Sequence, residues 1–276
     1  MSKMLDAMLN WHRSLTAVSP LAGTRQFGSG GQTAAELALA ASFSQALQEP
    51  LRRLYQWPFR NGYDAVPDTT DRAELEAWLR EQYEDEESGR LLRIVLAVYL
   101  VRAFALGGQF ALEAMGLLGL FVLSNRLLLD SIAGFANDLV DLGGEMSLTN
   151  TTVVELAAEI ERQRVSGVEL ALGLFITGRV LARARLIAGN EMVRLSRLGL
   201  AHTFWRNGVQ RVRFRTAPEL SATGPCPICR PLDGNVYRLR NGRVDGPDIP
   251  VHVLCVCYYD PVLDGWAAPE EVWRGG

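Results

Sequence analysis

The stretch GPCPICRPLDGNVYRLRNGRVDGPDIPVHVLCVCYYDP, residues 224–261, contains all four cysteines of the chain and one of its three histidines. Before residue 206 the apolar residues mostly recur at helical spacing, whereas this stretch is dense in Gly, Pro, Asp and Asn. Within it, NVYRLRNGRV has the pattern of a β-hairpin with Asn241-Gly242 at the turn. Just before it, GVQRVRFRT (208–216) alternates Val212 and Phe214 with arginines, which is the period of a half-buried strand. The stretch therefore predicts a small C-terminal module of strands and loops.

Five side chains of this module are candidate metal ligands: Cys226, Cys229, His252, Cys255 and Cys257. The first two are three residues apart, a spacing at which a tight turn directs both sulfur atoms onto one ion. A structural zinc site takes four N or S ligands in a tetrahedron, so four of these five are expected to bind zinc. Because the module has few large apolar residues, a zinc ion would supply folding free energy that its small core lacks.

Two other arrangements of the cysteines stay open, a buried thiol cluster without metal and a set of disulfides. The N-terminus MSKMLDAMLNWHRSL does not have the pattern of a secretory signal, which favours reduced thiols and therefore metal ligands. The run VHVLCVCYY, residues 251–259, has strand character, and a strand would direct His252 away from Cys255 and Cys257. A site with cysteine ligands only is therefore an alternative to one that includes His252.

The chain before the module predicts helices. Of the 276 residues, 48% are apolar and 21% charged, as in folded globular proteins. Residues 91–200 have helical periodicity almost throughout, with predicted breaks at Gly107-Gly108, Ser124-Asn125, Gly143-Gly144 and Gly189-Asn190. Pro50 is expected to kink or split an earlier helix, and Thr151 or Thr152 to cap a later one. The predicted fold is mainly α, a helical body with a small C-terminal strand-and-loop module held by zinc, α+β overall.

The changes of sequence pattern along the chain predict three consecutive segments. Residues 1–90 form an N-terminal helical region that ends in an acidic linker, residues 91–206 a helical body, and residues 207–276 the cysteine-rich module. The apolar stretch 91–123 is interrupted by Arg93, Arg102 and Glu113, so it predicts a pair of buried helices and no membrane span.

Basic residues are concentrated just before the module. Nine arginines lie between Arg179 and Arg215, against one acidic residue, Glu191. Four of the arginines have spacings that can share helix faces, and they are the candidate contacts to DNA or to an acidic protein surface: Arg179, Arg183, Arg194 and Arg197. The alternative is a solvated helix face that pairs with the acidic residues between 64 and 87.

Three motifs together resemble a known family. They are RARLIAGNEMVRLSRLGLAHTFWRNGVQRVRFRT (183–216), CPICRPLDGNVY (226–237) and VHVLCVC (251–257). In this order they are similar to the C-terminal half of the minor head, or head-morphogenesis, proteins of tailed bacteriophages, the Mu F-like family. The resemblance is specific over residues 180–262 and rests on these matching positions: Glu191, Gly208, Val209, Phe214, Cys226, Cys229, Leu232, Gly234, His252, Cys255 and Cys257.

The resemblance implies a structural role and no enzymatic one. Proteins of this family act in procapsid assembly, in few copies, inside the virion head, and are in the host cytoplasm during assembly. The partners it implies are the portal and capsid or scaffold proteins, with packaged DNA as a further candidate, and neither a membrane nor a small-molecule substrate. The alternative function is that of a zinc-containing DNA-binding protein, whose basic helix contacts the phosphate backbone.

Overall fold

The computed structural model describes residues 34–84, 87–119, 121–142, 147–216, 227–252, 255, 257–270 and 272–273. The fold is mainly helical with a small C-terminal sheet, which confirms the predicted class. The helices are α1 (Ala34–Gln56), α2 (Arg72–Gln82), α3 (Arg90–Ala114), α4 (Arg126–Asp138), α5 (Leu148–Val165) and α6 (Gly173–Arg206). The strands are β1 (Arg211–Arg215), β2 (Val236–Arg240), β3 (Arg243–Val244) and β4 (Tyr258–Pro261).

The chain forms two compact units, each built from separated stretches. Unit one comprises Met1–Ala41, Val98–Asp130 and Leu186–Gly276, and unit two comprises Ser42–Ala97 and Ser131–Arg185. Helices α1, α3, α4 and α6 contribute residues to both. The division into segments 1–90, 91–206 and 207–276 stays a prediction, and its last segment lies wholly within unit one.

Two predicted helix breaks are wrong, because α3 continues through Gly107-Gly108 and α6 continues through Gly189-Asn190. Stretch 91–123 is therefore no helix pair, since α3 is one helix of 25 residues. In unit one the glycines allow two helix backbones to touch: a Cβ added at Gly107 would overlap the Ser196 carbonyl oxygen, and one at Gly199 would overlap that of Phe104.

The remaining three predictions about helix boundaries concern Ser124-Asn125, Gly143-Gly144 and Pro50. Ser124-Asn125 is not helical, as predicted, and it lies directly before α4, whereas α3 already ends at Ala114. The pair Gly143-Gly144 lies outside the described residues. Helix α1 continues past Pro50, so this proline does not split it.

We expect Gly199→Ala to lower the free energy of unfolding by about 1–3 kcal/mol, because the added methyl group forces two packed helices apart. Gly178→Ala in the same helix is the matched control, since no atom lies within 4 Å of its added Cβ. That control should raise stability by about 0.5–1 kcal/mol through helix propensity. Urea unfolding measures both, and equal effects of the two changes would contradict the close helix contact.

Helix α5 of unit two begins earlier than predicted. Ser147 is the N-cap, and its side chain accepts a hydrogen bond from the Asn150 N–H at 3.0 Å. Thr151 and Thr152 lie inside the helix, where their hydroxyls donate to the carbonyls of Ser147 and Leu148. Threonine is a common N-cap residue. The first backbone N–H groups of this helix that have no carbonyl partner lie beside Ser147, however, so Ser147 is the residue that caps it.

One helix among the described residues is long and apolar enough to cross a membrane, judged by length and composition alone. It is α3, with a mean hydropathy of 1.8 over its most apolar window, half of which is buried. Core helices of globular proteins pass the same test, so this feature is weak evidence for a span.

The C-terminal sheet is antiparallel, with strand order β3-β2-β1-β4. The predicted strand of alternating arginines is β1, and the predicted hairpin turn is confirmed, with φ of 51° at Asn241 and 74° at Gly242. One face of the sheet is buried through Val212, Phe214, Leu239 and Tyr259. Because the sheet has only four short strands, the core that it buries is small. The adjoining loops therefore need a further interaction to hold them in place.

Candidate metal centre

Cys229 lies in the loop between β1 and β2. It precedes a short 3₁₀ turn, Arg230–Leu232, and its carbonyl accepts a hydrogen bond from the Leu232 N–H at 3.0 Å. The loop is tied to the sheet because the Asp233 carboxylate accepts from the Thr216 N–H at 2.9 Å. The Cys229 side chain is buried, so its sulfur is held inside unit one at a defined place.

His252 and Cys255 lie in the loop before β4, and a turn joins them. The Cys255 N–H donates to the His252 carbonyl at 3.0 Å, a contact that extended backbone between these residues cannot make. The expected strand across residues 251–257 is therefore wrong, and β4 begins at Tyr258. Because of the turn, His252 does not point away from Cys255, contrary to the prediction.

The two loops bring three candidate ligands together: Cys229, His252 and Cys255. Their ligand atoms all lie within 4.8 Å of one another, and the sulfurs of Cys229 and Cys255 are 3.8 Å apart. Two sulfurs bound at about 2.3 Å in a tetrahedron would lie about 3.8 Å apart, so the spacing fits a metal ion between them. These three residues could hold a metal ion.

Cys257 adds a third thiol beside this cluster. It is buried, and its thiol influences the pKa of the Cys255 thiol. The described cysteines, Cys229, Cys255 and Cys257, are free thiols without disulfides. Cys226, the fifth predicted ligand, lies outside the described residues.

The cluster favours a thiolate at Cys255. Its pKa is lowered to about 5, because the Cys257 thiol donates a hydrogen bond to it and backbone N–H groups and the Cys229 thiol assist. The pKa of Cys257 is raised in return, because its thiol keeps the proton that it shares with Cys255, because burial disfavours a charge, and because the Cys255 thiolate repels a second one. Since the thiolate is the form of cysteine that binds metals, the lowered pKa favours metal binding at Cys255.

The predicted arginine contacts have different environments. Arg197 is wrong as a surface contact, since its side chain is only 4% exposed and is paired with buried Glu36 at 2.9 Å. Arg183 is also mostly buried, with Glu155 at 3.0 Å. Arg179 and Arg194 are about half exposed, beside Glu155 and Glu191 respectively, and stay predictions as contacts.

A buried polar network near the cluster was not predicted. Glu36 accepts hydrogen bonds from the Ser196 hydroxyl at 2.8 Å and from the Arg197 guanidinium at 2.9 Å. Arg197 Nε also donates to the carbonyl of Cys257 at 3.1 Å. Arg197 therefore positions the backbone of the cysteine loop. The acid and the arginine are 161 positions apart, so no local pattern could have paired them.

Comparisons with models of protein families, with curated proteins and with solved structures found no match to this chain.

Proposed function

We propose that the chain is a minor head protein of a tailed phage or prophage, with a structural role in procapsid assembly around the portal. The observation that carries the proposal is the ordered set of motifs between residues 180 and 262. The cysteines and the histidine of the last two motifs are separated in sequence, yet Cys229, His252 and Cys255 converge. This convergence supports the proposal because it gives the motifs one shared physical purpose, a metal site.

The metal is zinc in this proposal. Two thiolates and an imidazole are a ligand set that Zn²⁺ accepts in tetrahedral geometry, whereas Mg²⁺ and Ca²⁺ prefer oxygen ligands. The fourth ligand is Cys257, which is two positions from Cys255 in the sequence, or Cys226, which is three positions from Cys229. Zinc would join the loop after β1 to the loop before β4 and so stabilise the module.

Burial supports a structural and not a catalytic role for this site. Cys229 and Cys255 are each 1% exposed. A structural zinc site has four protein ligands and is closed to solvent, whereas a catalytic one keeps a position for water or substrate. A structural site agrees with the assembly role that the family resemblance implies, with the portal and capsid or scaffold proteins as the proposed partners and the head interior as the proposed location.

The test is the composition of assembled heads. A tagged copy of the chain, expressed from its own phage or prophage, is expected in purified procapsids and virions in few copies and in complex with the portal. Heads formed without the chain should be defective in assembly or contain no DNA. Absence of the chain from heads, together with salt-dependent DNA binding by the purified protein, would support the alternative of a zinc-containing DNA-binding protein.

A further inference from the structure

The exposed face of the C-terminal sheet is strongly basic. Val212 and Phe214 point into the core, so the alternating arginines of β1 lie on the other face. In the strand register Arg211 is opposite Arg238, and Arg240 is opposite Arg243. We call this surface the arginine face, and it consists of Arg211, Arg213, Arg215, Arg238, Arg240 and Arg243.

One carboxylate, Asp260, shares the described part of this face. It is opposite Arg213 in the register and 3.2 Å from the Arg215 guanidinium. Among the described residues, no carboxylate forms an ion pair with Arg211, Arg238, Arg240 or Arg243. The positive charge of the face is therefore largely unneutralised within the described chain.

The close spacing of arginines on this face does not stabilise the sheet. Like charges directly opposite on neighbouring strands repel, and Arg211 with Arg238 is such a pair. Both side chains are exposed, so neither contributes to the core. An anion bound from outside would remove the repulsion, and arginine is well suited to it, because its planar guanidinium donates two parallel hydrogen bonds to a phosphate.

We propose that the arginine face binds the phosphate backbone of duplex DNA. Four strands about 4.8 Å apart give a face about 14 Å wide. Duplex DNA has one phosphate per roughly 1.7 Å of its axis when both strands are counted, so a duplex lying on such a face brings several phosphates close to the arginines. Backbone contacts of this kind are independent of base sequence.

Two other partners fit the surface less well. The centre of a protein–protein interface is usually apolar, but besides the arginines this face presents mainly Val236 and Tyr258 as apolar groups. Single-stranded nucleic acid is held by stacking on several aromatic rings, and Tyr258 is the one aromatic residue that the register places there. An extended, charged and largely non-aromatic face fits the backbone of a duplex best.

The inference deepens the proposed function and in part rests on it, since the DNA packaged in a head is the duplex that the chain would meet. In this proposal the arginine face replaces the predicted contacts on α6 as the main DNA-binding surface. Two of those contacts, Arg183 and Arg197, form ion pairs with Glu155 and Glu36.

The test is binding of the full-length protein to a fluorescent duplex of about 30 base pairs, measured by anisotropy over a range of salt concentrations. The triple variant Arg211→Gln, Arg238→Gln, Arg240→Gln should weaken binding at least about ten-fold at low salt. It should also lower the slope of log K against log salt by about 0.9 for each phosphate that is no longer neutralised. Its melting temperature should be unchanged or higher, because repulsion on the sheet is relieved. This second measurement shows that weaker binding is not caused by unfolding.

The matched control removes the same charge from exposed arginines of unit two, Arg52→Gln, Arg72→Gln and Arg162→Gln. It should leave most of the binding intact. Equal weakening in both triple variants, no binding of the duplex by the wild type, or tighter binding of single strands or of an acidic peptide would overturn the inference. A protein that binds duplex DNA through this face but is absent from heads would contradict only the proposed function.

Discussion

Cys229→Ser is expected to abolish stoichiometric zinc binding and to destabilise the C-terminal module by about 3 kcal/mol or more, since a structural zinc site contributes roughly 10–16 kcal/mol shared among four ligands. Cys229 is the candidate ligand from the loop after β1, so its loss should separate that loop from His252 and Cys255. Serine keeps the size of the side chain but not the soft thiolate. The measurements are zinc content by elemental analysis and amide hydrogen exchange in β1, β2 and β4.

A neighbouring residue provides the control for this variant. Ile228→Ser changes an exposed side chain, 58% accessible, in the same loop, and should leave zinc content and exchange rates unchanged. Chelation of the wild-type protein should reproduce the faster exchange of Cys229→Ser. If the purified wild type contains no zinc and Cys229→Ser has unchanged stability, the metal site is refuted and the buried thiol cluster is the correct interpretation.

The fourth ligand can be identified by the same measurements. Cys257→Ser and Cys226→Ser are compared, and the one that lowers zinc affinity more supplies the remaining bond. Cys257 is the candidate that the structure describes, beside Cys255, whereas Cys226 is the one favoured by the spacing of CPIC. A loss of zinc in His252→Ala would exclude the site made of cysteines only.

Arg197→Met is expected to lower the free energy of unfolding by about 3–5 kcal/mol, because removing one partner of a buried ion pair leaves the other charge uncompensated. Glu36 is fully buried and would lose both hydrogen bonds that it accepts from the Arg197 guanidinium. The carbonyl of Cys257 would also lose its guanidinium donor. Urea unfolding followed by circular dichroism measures the change.

An exposed ion pair provides the matched control. Arg52→Met removes an arginine that is 46% exposed beside Glu49, and such pairs contribute at most about 1 kcal/mol. The double variant Glu36→Gln, Arg197→Met should recover part of the stability, because it no longer buries an unpaired charge. If Arg197→Met and Arg52→Met have the same small effect, the buried network has no special role in holding the cysteine loop.

Both predictions concern how the loops of the C-terminal module are held in place. Metal binding would hold the two loops of the module together through their side chains, and Arg197 holds one of the loops through its backbone. Both interactions act on loops that adjoin the sheet, whereas the arginine face is the side of the sheet opposite Val212 and Phe214. If the arginine face binds DNA as proposed, loops held in this way would support the sheet that presents the arginines.

Local features of the sequence were predicted correctly where short-range physics decides them. The Asn241-Gly242 turn follows from the low cost of positive φ at these residues, and β1 follows from its alternation. The helical class follows from periodicity. Glycine pairs were misleading, because Gly107 is used for close helix contact and not to end a helix, and only the packing partner reveals this.

By itself, the sequence determined the helical class, the position of the strand module and the chemical type of its ligands, because these depend on neighbours a few residues away. Tertiary structure alone decided that His252 turns towards Cys229 and Cys255, and that Arg197 is buried against Glu36 instead of exposed. It also decided that arginines from three strands form one face. Each of these depends on contacts between residues far apart in the chain, whose free energy exists only after the segments have packed together.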